Sequence, residues 1–150
     1  MRGASWWSGV RLVAAAVAGL FVLAAPAQAQ KVPDGVAQEV LIKSTLLSFN
    51  DANITGNYEV LHAKSSKPFR DMFPPDKMKD VFKDFANKHI DIAMVVTQAP
   101  VADKAATIND NGVLLLEGHF DTSPKPLRYS LGYIMSDGEW KPVKINVDIK

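Results

Sequence analysis

The sequence lacks cysteine entirely, which removes one class of stabilising bond. Without disulfides, the fold must be held by packing alone, even in an oxidising compartment. Glycine and proline number only nine each, which excludes collagen-like and low-complexity chains. The 150 residues therefore fit one ordinary domain.

The N-terminal part has the pattern of a secretory signal peptide. A short basic region precedes the apolar run Leu12–Ala25, and Ala27-Gln28-Ala29 is a small-residue cleavage sequence. The apolar run has 14 residues, whereas a spanning helix needs about 20. We predict that residues 1–29 are a cleaved Sec-type signal peptide. Residues 30–150 are then a single domain that is exported to a bacterial periplasm or secreted.

Clustered positive charge is also missing. Residues 30–150 carry 15 basic and 16 acidic side chains, which are interleaved and give a formal charge of −1. Nucleic-acid binding requires clustered Lys and Arg to release phosphate counterions, so we predict no nucleic-acid partner. No apolar run in this part reaches spanning length, so we predict no membrane association after signal cleavage.

Helical periodicity dominates the first half of the exported domain. Apolar residues recur at helical spacing over 36–54, and Asp34 is the predicted N-cap. A short second helix is predicted within 57–62, and residues 65–68 then break the chain. A third helix is predicted to open at Pro74-Pro75. Its apolar stripe consists of Met78, Val81, Phe82 and Phe85.

Alternating periodicity begins at Ile90 and continues to the end of the chain. The predicted strands are 90–97, 103–109, 113–122, 127–135 and 139–149. Asp110-Asn111-Gly112 and Asp137-Gly138 are predicted hairpin turns, because Asn-Gly and Asp-Gly accept positive φ. Helices followed by antiparallel strands indicate an α+β fold.

The last predicted strand changes phase near Pro142. Trp140 lies at an even position, whereas Val143, Ile145 and Val147 lie at odd positions. Side chains alternate strictly on a regular strand, so both sets cannot face the core without an irregularity. Proline in a strand is confined to edges and bulges. We therefore predict a β-bulge near Pro142 that returns Trp140 to the core.

Several motifs carry a family resemblance. They are Leu46–Ala52 (LLSFNDA), Gly56–Tyr58 (GNY), Lys67–Arg70 (KPFR), Arg128–Tyr133 (RYSLGY) and Asp137–Val147 (DGEWKPVKINV). These stretches and the order of elements resemble the nuclear-transport-factor-two-like superfamily, including its small exported bacterial members, over about residues 36–149. The resemblance implies N-terminal helices packed in a strongly curved antiparallel sheet, the cone-shaped cystatin-like roll. It also implies a homodimer formed through the open face of the sheet.

A cone-shaped fold of this kind leaves an internal cavity. The predicted ligand-pocket residues are Phe49, Met78, Phe82, Phe85, Tyr129 and Tyr133. Aromatic and methionine side chains in such a stripe are more often plain core. The superfamily hosts isomerases, dehydratases, epoxide hydrolases and binding modules, so the fold alone does not choose a function.

One predicted strand places Glu117, His119 and Asp121 on a single face. A carboxylate, an imidazole and a second carboxylate are able to do acid–base work. The alternative is that Leu114, Leu116 and Phe120 face the core and the polar set faces water, as charged residues usually do. The three positions span about 13 Å, too far for one metal ion, so we predict neither a metal site nor a cofactor.

The two tyrosines complete the set of candidate catalytic residues, which are His119, Asp121, Tyr129 and Tyr133. A tyrosine hydroxyl in the cavity would donate to a carbonyl ligand, but a core tyrosine also seeks a partner. With no catalytic set identified, we predict an exported module that binds a small apolar ligand or a partner. The alternative is an isomerase or lyase acting in the cavity through Tyr129 or Tyr133 with an acid or His119.

Overall fold

The longest helix begins and ends as its sequence predicts. The computed structural model describes residues 30–150, so the predicted signal peptide lies outside the described residues. Helix α1 spans Gly35–Thr55, and Asp34 caps it by accepting a hydrogen bond from the Ala37 N–H at 2.8 Å. Gly56 ends it with a φ of 71°, a conformation that glycine adopts without strain.

Three shorter helices follow, α2 (Glu59–Lys64), α3 (Lys67–Met72) and α4 (Pro75–Ala86). Helices α2 and α4 confirm the predicted second and third helices. Helix α3 was not predicted, because residues 65–68 were expected to break the chain. Pro68 lies in the first turn of α3, where a missing N–H costs little. No helix within residues 30–150 is both long and apolar enough to cross a membrane.

The predicted strand 90–97 is wrong. The segment Ala93–Thr97 is a 3₁₀ helix, in which Val95 is buried while Met94 and Val96 face solvent. This burial is the reverse of the alternation from which the strand was predicted.

The reason for this difference is a buried side chain of α1. The Asn50 Oδ1 atom accepts from the Ile92 N–H at 2.9 Å, and its Nδ2 donates to Asp91 Oδ1 at 2.9 Å. The same Asp91 oxygen accepts from the Ala93 N–H. Side chains therefore bond the backbone groups that a neighbouring strand would otherwise bond.

The strands form one antiparallel sheet that is not closed into a barrel. They are β1 (Val101–Ala102), β2 (Thr107–Ile108), β3 (Leu114–Phe120), β4 (Leu127–Ser136) and β5 (Glu139–Ile149). The order is β1-β3-β4-β5, and β2 also pairs with β3. The predicted strand 103–109 is thus reduced to the two residues of β2. These elements confirm an α+β fold; the cone-shaped roll stays a prediction.

Both hairpin turns and the bulge are confirmed. Gly112, Asp137 and Gly138 all have positive φ. In the β4–β5 ladder Gly132 pairs with Lys144, whereas the next residue, Tyr133, pairs with Pro142, so Val143 is the extra residue of a β-bulge. Trp140 consequently pairs with Met135 and packs against the core.

The core lies between α1 and the inner face of the sheet. On β3 the inner residues are Leu114, Leu116 and Phe120, all at most 3% exposed. Those of β4 are Leu127, Tyr129, Leu131 and Tyr133. This settles the face of β3: Leu114, Leu116 and Phe120 point inward, as expected if Glu117 and His119 face away from the core.

Candidate functional site

Three of the six predicted pocket residues, Phe49, Phe82 and Phe85, pack against one another. Phe49, Met78 and Phe85 are buried, and Phe82 is half-buried. The Phe49 ring meets the Phe82 and Phe85 rings edge-on, at centroid distances of 5.1 and 4.9 Å, while Phe82 stacks on Tyr58. The clefts described below are lined by other residues, together with Tyr129 and Tyr133.

The more spacious of two relevant clefts lies between α1, α2 and the start of β5. We call it the hairpin cleft; its volume is about 380 Å³. Its apolar lining consists of Leu41, Leu61, Ala63, Trp140 and Pro142. Its polar lining consists of Ser44, Thr45, Ser48, Lys64, Tyr133, Glu139 and Lys141. The bulge at Val143 places Trp140 here, because without it the indole would lie on the opposite face of the sheet.

The Tyr133 hydroxyl is already bonded. It donates to the Leu41 carbonyl oxygen at 3.0 Å, so the Thr45 hydroxyl must donate to it, at 2.9 Å. Burial raises the pKa of Tyr133. This hydroxyl therefore joins α1 to β4 and has no proton left for a ligand.

Two lysines, Lys64 and Lys141, are among the residues that line the hairpin cleft. Lys64 Nζ donates to Ser48 Oγ at 2.9 Å, and Lys141 Nζ bonds Asp137 Oδ2 at 3.0 Å. The Lys141 ammonium holds the pKa of Asp137 below its usual value. An ammonium carries three donors, so that of Lys64, bonded to the cleft-lining Ser48, retains hydrogen-bonding capacity toward a ligand.

The second cleft lies between the start of α1 and the edge formed by β1 and β3, and we call it the edge cleft. It has a volume of about 190 Å³ and contains Tyr129, Glu39 and Glu117. The end of the Tyr129 ring lies over Gly118. Burial, with the nearby charge of Asp103, raises the pKa of Tyr129 to about 12.

Both acids of the edge cleft are paired. Glu39 bonds Lys43 at 2.6 Å, and Glu117 bonds Lys104 at 2.5 Å. The Lys104 partner holds the pKa of Glu117 below its ordinary value. The Glu117 carboxylate is therefore a poor proton acceptor near neutral pH.

His119 and Asp121 lie on the outer face of the sheet. His119 Nδ1 is 2.7 Å from Asp103 Oδ1, and its Nε2 is 3.3 Å from Asp121 Oδ1. The Asp121 side chain is 80% exposed. Tyr129 and Tyr133 belong to the inner face, so the structure does not bring the four candidate catalytic residues together. Among residues 30–150, no group of three or more acidic or histidine side chains is placed to hold a metal ion.

No protein-family model, curated protein or solved structure matches this chain. The superfamily resemblance therefore stays a prediction.

Sequence reasoning missed most of the hairpin cleft. Ser44, Thr45 and Ser48 were passed over because they lie between apolar residues of a predicted core helix. Ser44 and Ser48, one turn apart, place two hydroxyl groups on the same face of α1. That interruption of the apolar stripe was the available signal.

Proposed function

We propose that the protein is an exported binding module and that the hairpin cleft holds a small organic molecule with an apolar body and an anionic group. The observation that carries the proposal is a cleft lined by a half-buried tryptophan together with serine, threonine and lysine residues. Its volume of about 380 Å³ falls within the range of small-ligand pockets.

The apolar body would lie against Trp140 and Pro142. Trp140 is only half-buried. Because tryptophan has the largest side chain, the exposed part of its ring offers apolar surface for a ligand to cover. Aromatic contacts of this kind contribute binding free energy beyond the area that they bury.

The anionic group would lie at the rim. Lys64 and Lys141 both line the cleft, against the single carboxylate of Glu139. Positive charge at the mouth of a cleft attracts anions and orients them. This charge distribution distinguishes the proposed ligand from a purely apolar one.

The experiment uses Trp140 as the reporter. In a Trp6→Phe/Trp7→Phe background it is the only one of three tryptophans left. The probe is 1-anilinonaphthalene-8-sulfonate, which joins an apolar ring system to a sulfonate. We expect saturable quenching of Trp140 fluorescence.

Two pairs of variants locate the probe. Ala63→Phe should block binding by filling the cleft, whereas Val60→Phe, on an exposed residue outside the cleft lining, should not. Lys64→Gln should weaken binding about five-fold, whereas Lys79→Gln on α4 should leave it unchanged. Equal effects within either pair would contradict the assignment.

The alternative, an isomerase or lyase, is favoured by one observation. Tyr129 lines the edge cleft together with Glu39 and Glu117. Such an enzyme would catalyse the exchange of the protons next to the carbonyl of cyclohexanone for deuterium. NMR in D₂O would show a faster exchange with the protein than in buffer alone. That exchange would be lost in Tyr129→Phe, and its absence from the unmodified protein would exclude this chemistry for that ketone.

A further inference from the structure

Among residues 30–150, one side of the sheet ends in a long strand that pairs with no further strand. The order β1-β3-β4-β5 leaves β5 at the edge, over 11 residues. An open edge exposes backbone N–H and C=O groups that are ready to pair with another strand.

The hairpin geometry determines which groups face outward. Asp137 and Gly138 form a two-residue turn, so Ser136 and Glu139 bond each other, and the even residues of β4 bond β5. The backbone N–H and C=O groups of the odd residues of β4 then point toward β3. Those of the odd residues of β3 point away from β4.

Two hydrogen bonds support this assignment. The Asp103 N–H donates to the carbonyl of Glu117, an odd residue of β3. The Ser66 N–H donates to the carbonyl of Pro142, which faces outward on the near side of the bulge. Beyond the extra residue Val143, the outward set shifts by one position.

The outward backbone groups of the rest of β5 therefore belong to Ile145, Val147 and Ile149. Within residues 30–150, no other element bonds the N–H or C=O of Ile145 or Val147 on that side. In the described part of the chain, the Pro142 end of the edge is covered by Ser66 at the start of α3, and the rest is open.

The side chains along this edge complement their own two-fold image. Consider two β5 strands that lie antiparallel with Asn146 opposite Asn146. On the outer face, Lys144 of each copy then lies opposite Asp148 of the other copy. On the inner face Ile145 lies opposite Val147. The backbone N–H and C=O groups of Ile145 and Val147 point away from β4. Across the dimer these groups therefore meet as hydrogen-bonded pairs.

Other registers lose this match. A shift of the two-fold axis by one residue toward the C-terminus places Lys144 opposite Lys150. The same shift toward the N-terminus places Lys144 opposite Asn146. Opposite charges directly across a ladder stabilise it, and like charges destabilise it.

We propose that β5 pairs with β5 of a second copy of this chain, antiparallel and centred on Asn146, to form one continuous sheet across a dimer. This interface uses residues beyond the bulge and leaves Trp140 and the hairpin cleft free. It is independent of the ligand proposal, and it differs from a dimer through the face of the sheet.

The experiment measures association of the protein expressed from its full sequence, so that any processing takes place. The readout is mass from light scattering during gel filtration, over a range of concentrations. Lys144→Asp and Asp148→Lys each place like charges opposite each other, so each should raise the dimer dissociation constant about ten-fold or more. Lys104→Asp, at the opposite edge, should not.

The decisive sample is an equimolar mixture of the two variants. Each variant repels itself, but in a mixed pair the two acids of one variant would face the two lysines of the other. The mixture should therefore regain dimer of mixed composition. Val147→Pro removes an outward N–H without removing a β4–β5 bond, and it should give a monomer with an unchanged far-UV spectrum.

A monomeric unmodified protein would overturn the proposal. A dimer that survives both charge reversals would also overturn it, and would point to the sheet face instead. Failure of the mixture to associate would reject the register centred on Asn146.

Discussion

Removing the Tyr133 hydroxyl should destabilise the fold while leaving the shape of its core unchanged. This fully buried hydroxyl links the Leu41 carbonyl of α1 to the Thr45 hydroxyl. Tyr133→Phe keeps the ring and deletes both hydrogen bonds. Thr45→Val keeps the shape of its side chain and deletes one of them.

The expected magnitudes follow from the number of bonds lost. Each buried hydrogen bond contributes about 1 kcal/mol net, so Tyr133→Phe should cost about 2 kcal/mol and Thr45→Val about 1 kcal/mol. The Tyr133–Thr45 bond is lost in both variants. The double variant should therefore cost about 2 kcal/mol rather than the sum, which is a coupling of about 1 kcal/mol.

Urea unfolding at neutral pH, followed by far-UV circular dichroism, measures these free energies. For a domain of this size, 1 kcal/mol corresponds to about 4 °C in the thermal midpoint. Thr107→Val, at an exposed position on β2, is the matched control and should change the free energy of unfolding by less than about 0.5 kcal/mol. Strict additivity of the two core substitutions would refute the bond on which this reasoning depends.

Three further changes have expected outcomes. Gly118→Ala would drive a methyl group into a β1 carbonyl and the Tyr129 ring, so we expect a loss of about 3 kcal/mol in urea unfolding. A methyl group at Gly35 would meet nothing within 4 Å, so Gly35→Ala should hardly change the free energy of unfolding. Equal losses in the two variants would contradict the steric clash at Gly118. Asn50→Ala leaves the buried Ile92 N–H without its acceptor, so native-state hydrogen exchange of that amide should accelerate about ten-fold or more, and unchanged exchange would exclude its bond to Asn50. Alkaline pH should destabilise the protein, because the native state retains the Tyr129 proton up to a pKa of about 12 whereas the unfolded chain releases it near 10. The free energy of unfolding should thus fall as pH rises above about 10. Tyr129→Phe should reduce the slope of this free energy against pH. An identical slope in the variant would contradict the contribution of Tyr129.

Local patterns predicted the elements that local physics governs. The Asp34 cap and the positive-φ turn at Asp137-Gly138 depend on neighbouring residues alone. The bulge was also predicted, because strict alternation allows no other way to place both Trp140 and Ile145 on the inner face.

The features that the sequence did not predict depend on long-range contacts. Asn50 bonds the backbone 42 positions later and turns a predicted strand into a 3₁₀ helix. The hairpin cleft likewise depends on α1, α2 and β5 meeting. No periodicity within one segment contains that information.

The sequence by itself determined the fold class, the turns and the bulge, because caps, alternation and turn chemistry act within a few residues. Only the tertiary structure decided that Tyr129 and Tyr133 lie on the opposite face of the sheet from His119. It also decided which hydroxyl groups face Trp140, since side chains distant along the chain meet only when helices pack on the sheet.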